Sequence, residues 1–102
     1  MAQFIVLHGY KKDPTEFAAF FTAEAAVGMA KAMAAGKFPA RCIKTWDPGV
    51  YGRLDHVVCL WEGANSQDVQ TSLQSSGLLE YMSADIMQVD ETDWAQLAQM
   101  GG

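Results

Sequence analysis

Few residues in this chain are equipped for chemistry. There are two histidines, His8 and His56, and two cysteines, Cys42 and Cys59. His8 stands in the middle of an apolar run, Gln3 to Tyr10, QFIVLHGY. An imidazole titrates near ~6.5, which suits proton transfer at neutral pH. The same position also suits a core histidine satisfied by one hydrogen bond, and both readings stay open. His56 follows Asp55 and reads as half of a surface pair. No Cys-x-x-Cys occurs, and no two histidines share a helical spacing. A closed zinc site would need all four scattered residues to converge, so no metal is expected. The cysteines read as thiols and not as a disulfide framework. They are either small buried hydrophobes or, if their strands meet, a redox pair. Trp46 and Trp61 serve as packing or as walls against which a flat ligand stacks. Lys44 on an inward face is costly unless it is paired or reaches an opening, where it would meet an anionic ligand.

These residues must be positioned by regular elements. Gln3 to Tyr10 reads as a buried strand. Asp13, Pro14 and Glu16 have the spacing of a capping box with proline at the first helical position. A helix is expected from Pro14 to about Ala35, where nine alanines supply propensity and Gly36 supplies the left-handed stop. Ala40 to Asp47 and Asp55 to Glu62 read as two strands of an antiparallel hairpin across Pro48–Arg53. Asn65 or Ser66 caps a second helix over about Gln67 to Leu73, followed by a turn at Leu78 to Met82. Ala84 to Asp90 is a fourth strand marked by Ile86 and Val89. Trp94 and Leu97 in the tail imply that it docks on something.

The order β-α-β-β-α-β is the ferredoxin-like pattern: α+β, a four-stranded antiparallel sheet with helices on one face. Alternation sorts each strand into two sets. Ile5, Leu7, Ile43, Val58 and Leu60 are compact aliphatics suited to lie under helices. Pairing Ile43 with Val58 would put Cys42 opposite Cys59. It would gather Phe4, Val6, His8, Tyr10, Cys42, Lys44, Trp46, Val57, Cys59 and Trp61 on the far face. A monomer would not expose so apolar a face. A second copy covering it would close two sheets into a barrel.

Together with the stretches Val58-Cys59-Leu60-Trp61-Glu62-Gly63, Leu78-Leu79-Glu80-Tyr81-Met82 and Ile86-Met87-Gln88-Val89-Asp90-Glu91, this layout resembles the dimeric α/β-barrel superfamily over about residues 3 to 91. That group includes cofactor-free antibiotic-biosynthesis monooxygenases, haem-degrading monooxygenases, muconolactone-isomerase-like proteins, stress-responsive barrels and short uncharacterised families, one of which the last stretch resembles most. The resemblance implies a homodimer whose tail, residues 92–102, reaches the partner. It does not imply haem. The haem-degrading members carry a histidine where Glu80-Tyr81-Met82-Ser83 stand here, and an asparagine near the position of His8. No cofactor is expected.

The remaining expectations follow from length and charge. A chain of 102 residues makes one domain. Half its residues are apolar and 19% are charged, a globular composition. The net charge of −5 argues against nucleic acid. No apolar run suits a membrane span, and the start lacks the basic and apolar regions of a leader, so a cytoplasmic location is expected. All 7 basic residues lie at or before Arg53, while residues 54–102 carry 8 acidic ones. The split is either compositional drift or charge complementarity across an interface. The catalytic candidate is His8, and the ligand-contact candidates are Phe4, Val6, Tyr10, Lys44, Trp46, Cys59 and Trp61. The favoured function is a non-catalytic binding or stress-associated dimer. The alternative is a cofactor-independent monooxygenase or isomerase acting on a small aromatic or polyketide-like compound. A cavity of about 300 Å3 or more reached by His8 would separate a hollow barrel from a filled one.

Overall fold

Caps and turns cut the described residues into eight elements and two short 3-10 turns. They are β1 (Ala2–His8), α1 (Pro14–Phe20), α2 (Ala23–Ala34), β2 (Arg41–Trp46), β3 (Val57–Gly63), α3 (Ser66–Ser75), β4 (Asp85–Val89) and α4 (Trp94–Met100). The 3-10 turns are Pro48–Tyr51 and Leu78–Glu80. The computed structural model describes residues 1–53 and 56–100. Asp55, expected to begin the third strand and to pair with His56, lies outside the described residues. The strands form one antiparallel sheet in the order β2-β3-β1-β4. This α+β arrangement is compatible with a ferredoxin-like fold. Among the described residues, no single helix is long and apolar enough to cross a membrane.

The long N-terminal helix expected over residues 14–35 is two helices bent by 62°. Thr22 is the cause: its Oγ1 accepts the Ala25 N–H at 3.2 Å and so starts a new helix. Phe21, with φ −100° and ψ 68°, makes the corner. At the first cap, Asp13 accepts from the Thr15 N–H at 2.8 Å and from its hydroxyl at 2.6 Å. Thr15 thus takes the place expected of Glu16. The stop of α2 is as the sequence implies. Gly36 has φ +75°, its N–H donates to the Met33 carbonyl, and the Lys37 N–H donates to the Ala32 carbonyl, each at 3.0 Å. That is a Schellman closure. For α3, Asn65 is the cap, accepting the Asp68 N–H at 2.9 Å.

The sheet faces are the reverse of the expected assignment. Phe4, Val6 and His8 of β1 and Val57, Cys59 and Trp61 of β3 are the buried set. They pack with Val69 and Leu73 of α3 and with Leu78, Met82 and Ala40. The aliphatics Ile5, Leu7, Val58 and Leu60 lie on the helix-free face. Size explains the choice. Phe4 and Trp61 carry the largest apolar surfaces in the two central strands, and the single chain can bury them only beneath its own helices.

The hairpin register also differs. Cys42 stands opposite Trp61, Thr45 opposite Cys59 and Trp46 opposite Val58, with a bulge that leaves Ile43 as the extra residue. Cys42 and Cys59 are therefore diagonal neighbours on the buried face. Lys44, opposite Leu60, and Trp46 fall on the other. Arg41 faces Glu62 and binds it at 2.6 Å, so the carboxylate is paired and only 23% exposed. Gly63, beside it, admits close approach: a Cβ there would sit 3.0 Å from that of Ala40. The tail forms α4, but Trp94, Leu97 and Met100 stay exposed within one chain, so the expected docking is not met there.

Ser72 ties α3 to the start of β2. It is fully buried, donates to the Asp68 carbonyl at 2.8 Å and accepts the buried Ala40 N–H at 3.0 Å. Ser72→Ala would leave that N–H without an acceptor. The expected loss is about 1–3 kcal/mol in a denaturant melt, and a loss below the error of the melt would refute the role.

Candidate functional site

Neither α1 nor α2 buries a single residue. The reason is a gap between α2 and the sheet, a cavity of about 660 Å3. Ala26, Ala30 and Ala34 recur every fourth residue on the α2 wall, with Met29 and Met33 beside them. Methyl groups cannot reach the sheet, so the helix spans the space without filling it. Phe17 and Phe21 line the cavity near the bend, and Leu78 and Met82 line it from the second 3-10 turn and the residues after it. The sheet contributes His8, Cys42, Thr45, Val57, Cys59 and Trp61. The charged lining residues, Arg41, Lys44 and Asp47, are exposed.

His8 is 3% exposed, and its Nδ1 lies 2.9 Å from the Ser83 carbonyl oxygen. A carbonyl only accepts, so Nδ1 carries the proton and Nε2 keeps a lone pair. Burial lowers the pKa, and the Ser83 bond offsets this in part. The ring is thus neutral at pH 7, with Nε2 as its basic nitrogen. The clamp holding it is double, since the Gly9 N–H donates to Ser83 Oγ at 3.0 Å and the Ser83 N–H to the Gly9 carbonyl at 2.8 Å.

Trp61 is 1% exposed, and among the described residues its Nε1–H has no hydrogen-bond partner of adequate geometry. The Cys59 sulfur beside it is a weak acceptor. Thr45 Oγ1 sits between the two thiols, 3.6 Å from Cys42 Sγ and 3.2 Å from Cys59 Sγ. The pair divides its acidity. Hydrogen bonds from Cys59 and Thr45, with the Lys44 backbone, lower the Cys42 thiol to about 7 against the pull of burial. The Cys59 thiol is raised, first by its bond to Cys42 and then by burial. Among the described residues, no three His, Cys, Asp or Glu side chains converge as a metal site would need.

Of the residues proposed from sequence, His8, Lys44, Cys59 and Trp61 line this cavity. Phe4 and Val6 are wholly buried in the core and do not line it. Tyr10 lies outside it, edge-on to Phe17 with ring centres 6.0 Å apart and bridged to Met82. Its hydroxyl pKa is raised by burial and then by Asp47. Trp46 lies on the opposite face of the sheet, in a shallow hollow of about 380 Å3 with Ile5 and Leu60. Cys42, Thr45 and the Ala26-Ala30-Ala34 stripe belong to the cavity but were not chosen as site residues. A stripe of alanines at a spacing of four, opposite a strand rich in large residues, is the signal that could have found it.

The burial of His8 makes stability depend on pH. Its folded pKa lies below the ordinary 6.5, so on acidification the unfolded chain takes up the proton first. Stability should fall as the pH drops below 6.5, until the folded imidazole itself protonates. His8→Asn keeps a nitrogen near the place of Nδ1 but does not titrate. Urea melts at about pH 7.5 and about pH 5.5 should show a smaller loss in that variant than in the parent. Equal losses would remove His8 as the cause. In comparisons with family models, with curated proteins and with solved structures, nothing matches this chain.

Proposed function

We propose that this chain binds a small, largely apolar molecule in the cavity between α2 and the sheet. The observation that carries the reading is the cavity itself, about 660 Å3 of space walled by Ala26, Ala30, Met29, Met33, Phe17 and Phe21, a size that holds a small ligand. The methionine, alanine and phenylalanine wall would take the apolar body of such a molecule. Acetophenone is a suitable probe. Titrated into the 15N-labelled protein, it should shift the Trp61 indole N–H signal saturably while Trp46 and Trp94 stay in place. An unmoved Trp61 signal would overturn the proposal. A second reading, proton abstraction from a bound carbonyl compound by His8 in an isomerase reaction, is favoured by the neutral imidazole lining the cavity. In that case His8→Asn would bind the ketone but lose exchange of its α-hydrogens.

The functional unit is proposed to be a homodimer joined through the helix-free face. Trp46 is 49% and Met87 39% exposed there, beside Ile5, Leu7, Val58 and Leu60. A second copy of the same sheet would cover these groups, and a stable pair needs about 1,200 Å2 or more of buried surface. The exposed Trp94, Leu97 and Met100 of α4 give the tail an apolar stripe for the same partner. Sedimentation at micromolar concentration should show a dimer. Trp46→Glu should convert it to monomer, and truncation after Asp90 should weaken it. A monomeric parent chain would refute this assembly.

A further inference from the structure

We propose that His8 determines which molecules this cavity selects: its Nε2 accepts the O–H of an apolar molecule bearing a hydroxyl group. The inference rests on the ligand-binding reading above and names the ligand class for the same site. Three observations meet. His8 lines the cavity and is 3% exposed. Its one side-chain hydrogen bond among the described residues is made by Nδ1, to the Ser83 carbonyl at 2.9 Å. Nε2 is not sealed in the protein, because among the described residues Trp61 Nε1 is the one buried side-chain nitrogen or oxygen with neither surface nor partner. Nε2 therefore keeps its lone pair at a small opening onto the cavity.

The ring has one thing to offer a ligand. Its Nδ1–H is spent on the Ser83 carbonyl, so the tautomer is fixed and Nε2 only accepts. Turning the ring over would aim a carbon at that carbonyl and break the bond. Ser83 is itself pinned to Gly9 through backbone and side chain, so the acceptor is held in place before a ligand arrives. Burial keeps the imidazole unprotonated at neutral pH. The other polar groups of the floor do not compete: the Thr45 hydroxyl engages both thiols, and the Trp61 N–H has no surface. An apolar body entering the cavity displaces whatever water reaches Nε2. Without a donor it leaves a buried acceptor unpaired, while a hydroxyl restores the bond. A ketone or ether of the same shape brings a second lone pair against the first. Recognition is by hydrogen bond alone, and no covalent bond forms or breaks.

The test uses the full chain, 15N-labelled, with three ligands of one skeleton: 1-phenylethanol, its methyl ether and acetophenone. The Trp61 indole signal reads occupancy of the cavity, and the ring nitrogens of His8 read the hydrogen bond. The alcohol should bind about tenfold tighter than the ether or the ketone. It should also move the unprotonated Nε2 resonance upfield, as expected of a nitrogen that accepts a hydrogen bond, while the ether and the ketone leave it in place. His8→Asn can still donate to Ser83, but its amide ends short of the position of Nε2. In that variant the three ligands should bind within about twofold of one another. Equal affinities in the parent, a preference that survives in His8→Asn, or an Nε2 resonance that the bound alcohol does not move would overturn the proposal. Should His8→Asn not fold, the Nε2 resonance of the parent decides. If all three ligands move the Trp61 signal with equal affinity, hydroxyl recognition is refuted and apolar binding stands. If none moves it, both readings fall.

Discussion

Phe4 and Trp61 sit opposite each other on the two central strands, and both are withdrawn from solvent. Burying so much aromatic surface on one side of the sheet decides which face receives the helices. It places His8 and Cys59 in the same layer by the two-residue repeat of the strand. It leaves the aliphatic set outward. The buried layer is then the floor of the cavity, and the groups able to do chemistry are there because the aromatics are. Val69, Leu73 and Ser72 of α3 complete the layer over part of this floor. The rest is roofed by α2, whose alanines fall short of it while Met33 reaches β2 at the Cys42 N–H.

The elements were largely legible in the sequence and their relations were less so. Gly36, Asn65 and the Asp13-Pro14 pair mark helix ends by local chemistry, and local chemistry is readable from neighbours in the chain. The break at Thr22 was hidden by the alanine-rich run around it, although a threonine followed by alanine and glutamate is itself a serviceable cap. The sheet faces failed for a different reason. Both sets of each central strand are apolar, so alternation alone does not say which set faces the helices. Weight of apolar surface does, and Phe4 and Trp61 outweigh Ile5 and Leu60. The register failed because a bulge at Ile43 has no turn residue to announce it. His8, Cys59 and Trp61 share one parity and so come together in one layer, but beneath the helices and not on the face away from them. Lys44 has the opposite parity and borders the cavity only at its charged end, beside the bulge.

The two cysteines show how a small change of register alters chemistry. Directly opposed, they would have invited reading as a cross-strand bridge. Offset along the buried face, they meet through Thr45 and polarise one another. One thiol becomes the acidic member and the other the proton-bearing member. The arrangement resembles the division of labour in paired carboxylates, where two like groups acquire different roles because both cannot ionise at once.

The bulge at Ile43 has one more effect, on where the sheet may grow. β2 is an outer strand of the sheet, and its free edge is a row of backbone donors and acceptors open to any passing strand. The extra residue interrupts that row and sharpens the local twist, so a foreign strand cannot register along it. The opposite margin, β4, is five residues long, begins with Asp85 and is followed by Asp90 and Glu91. Between them, a kinked rim and an acidic rim discourage stacking into ribbons.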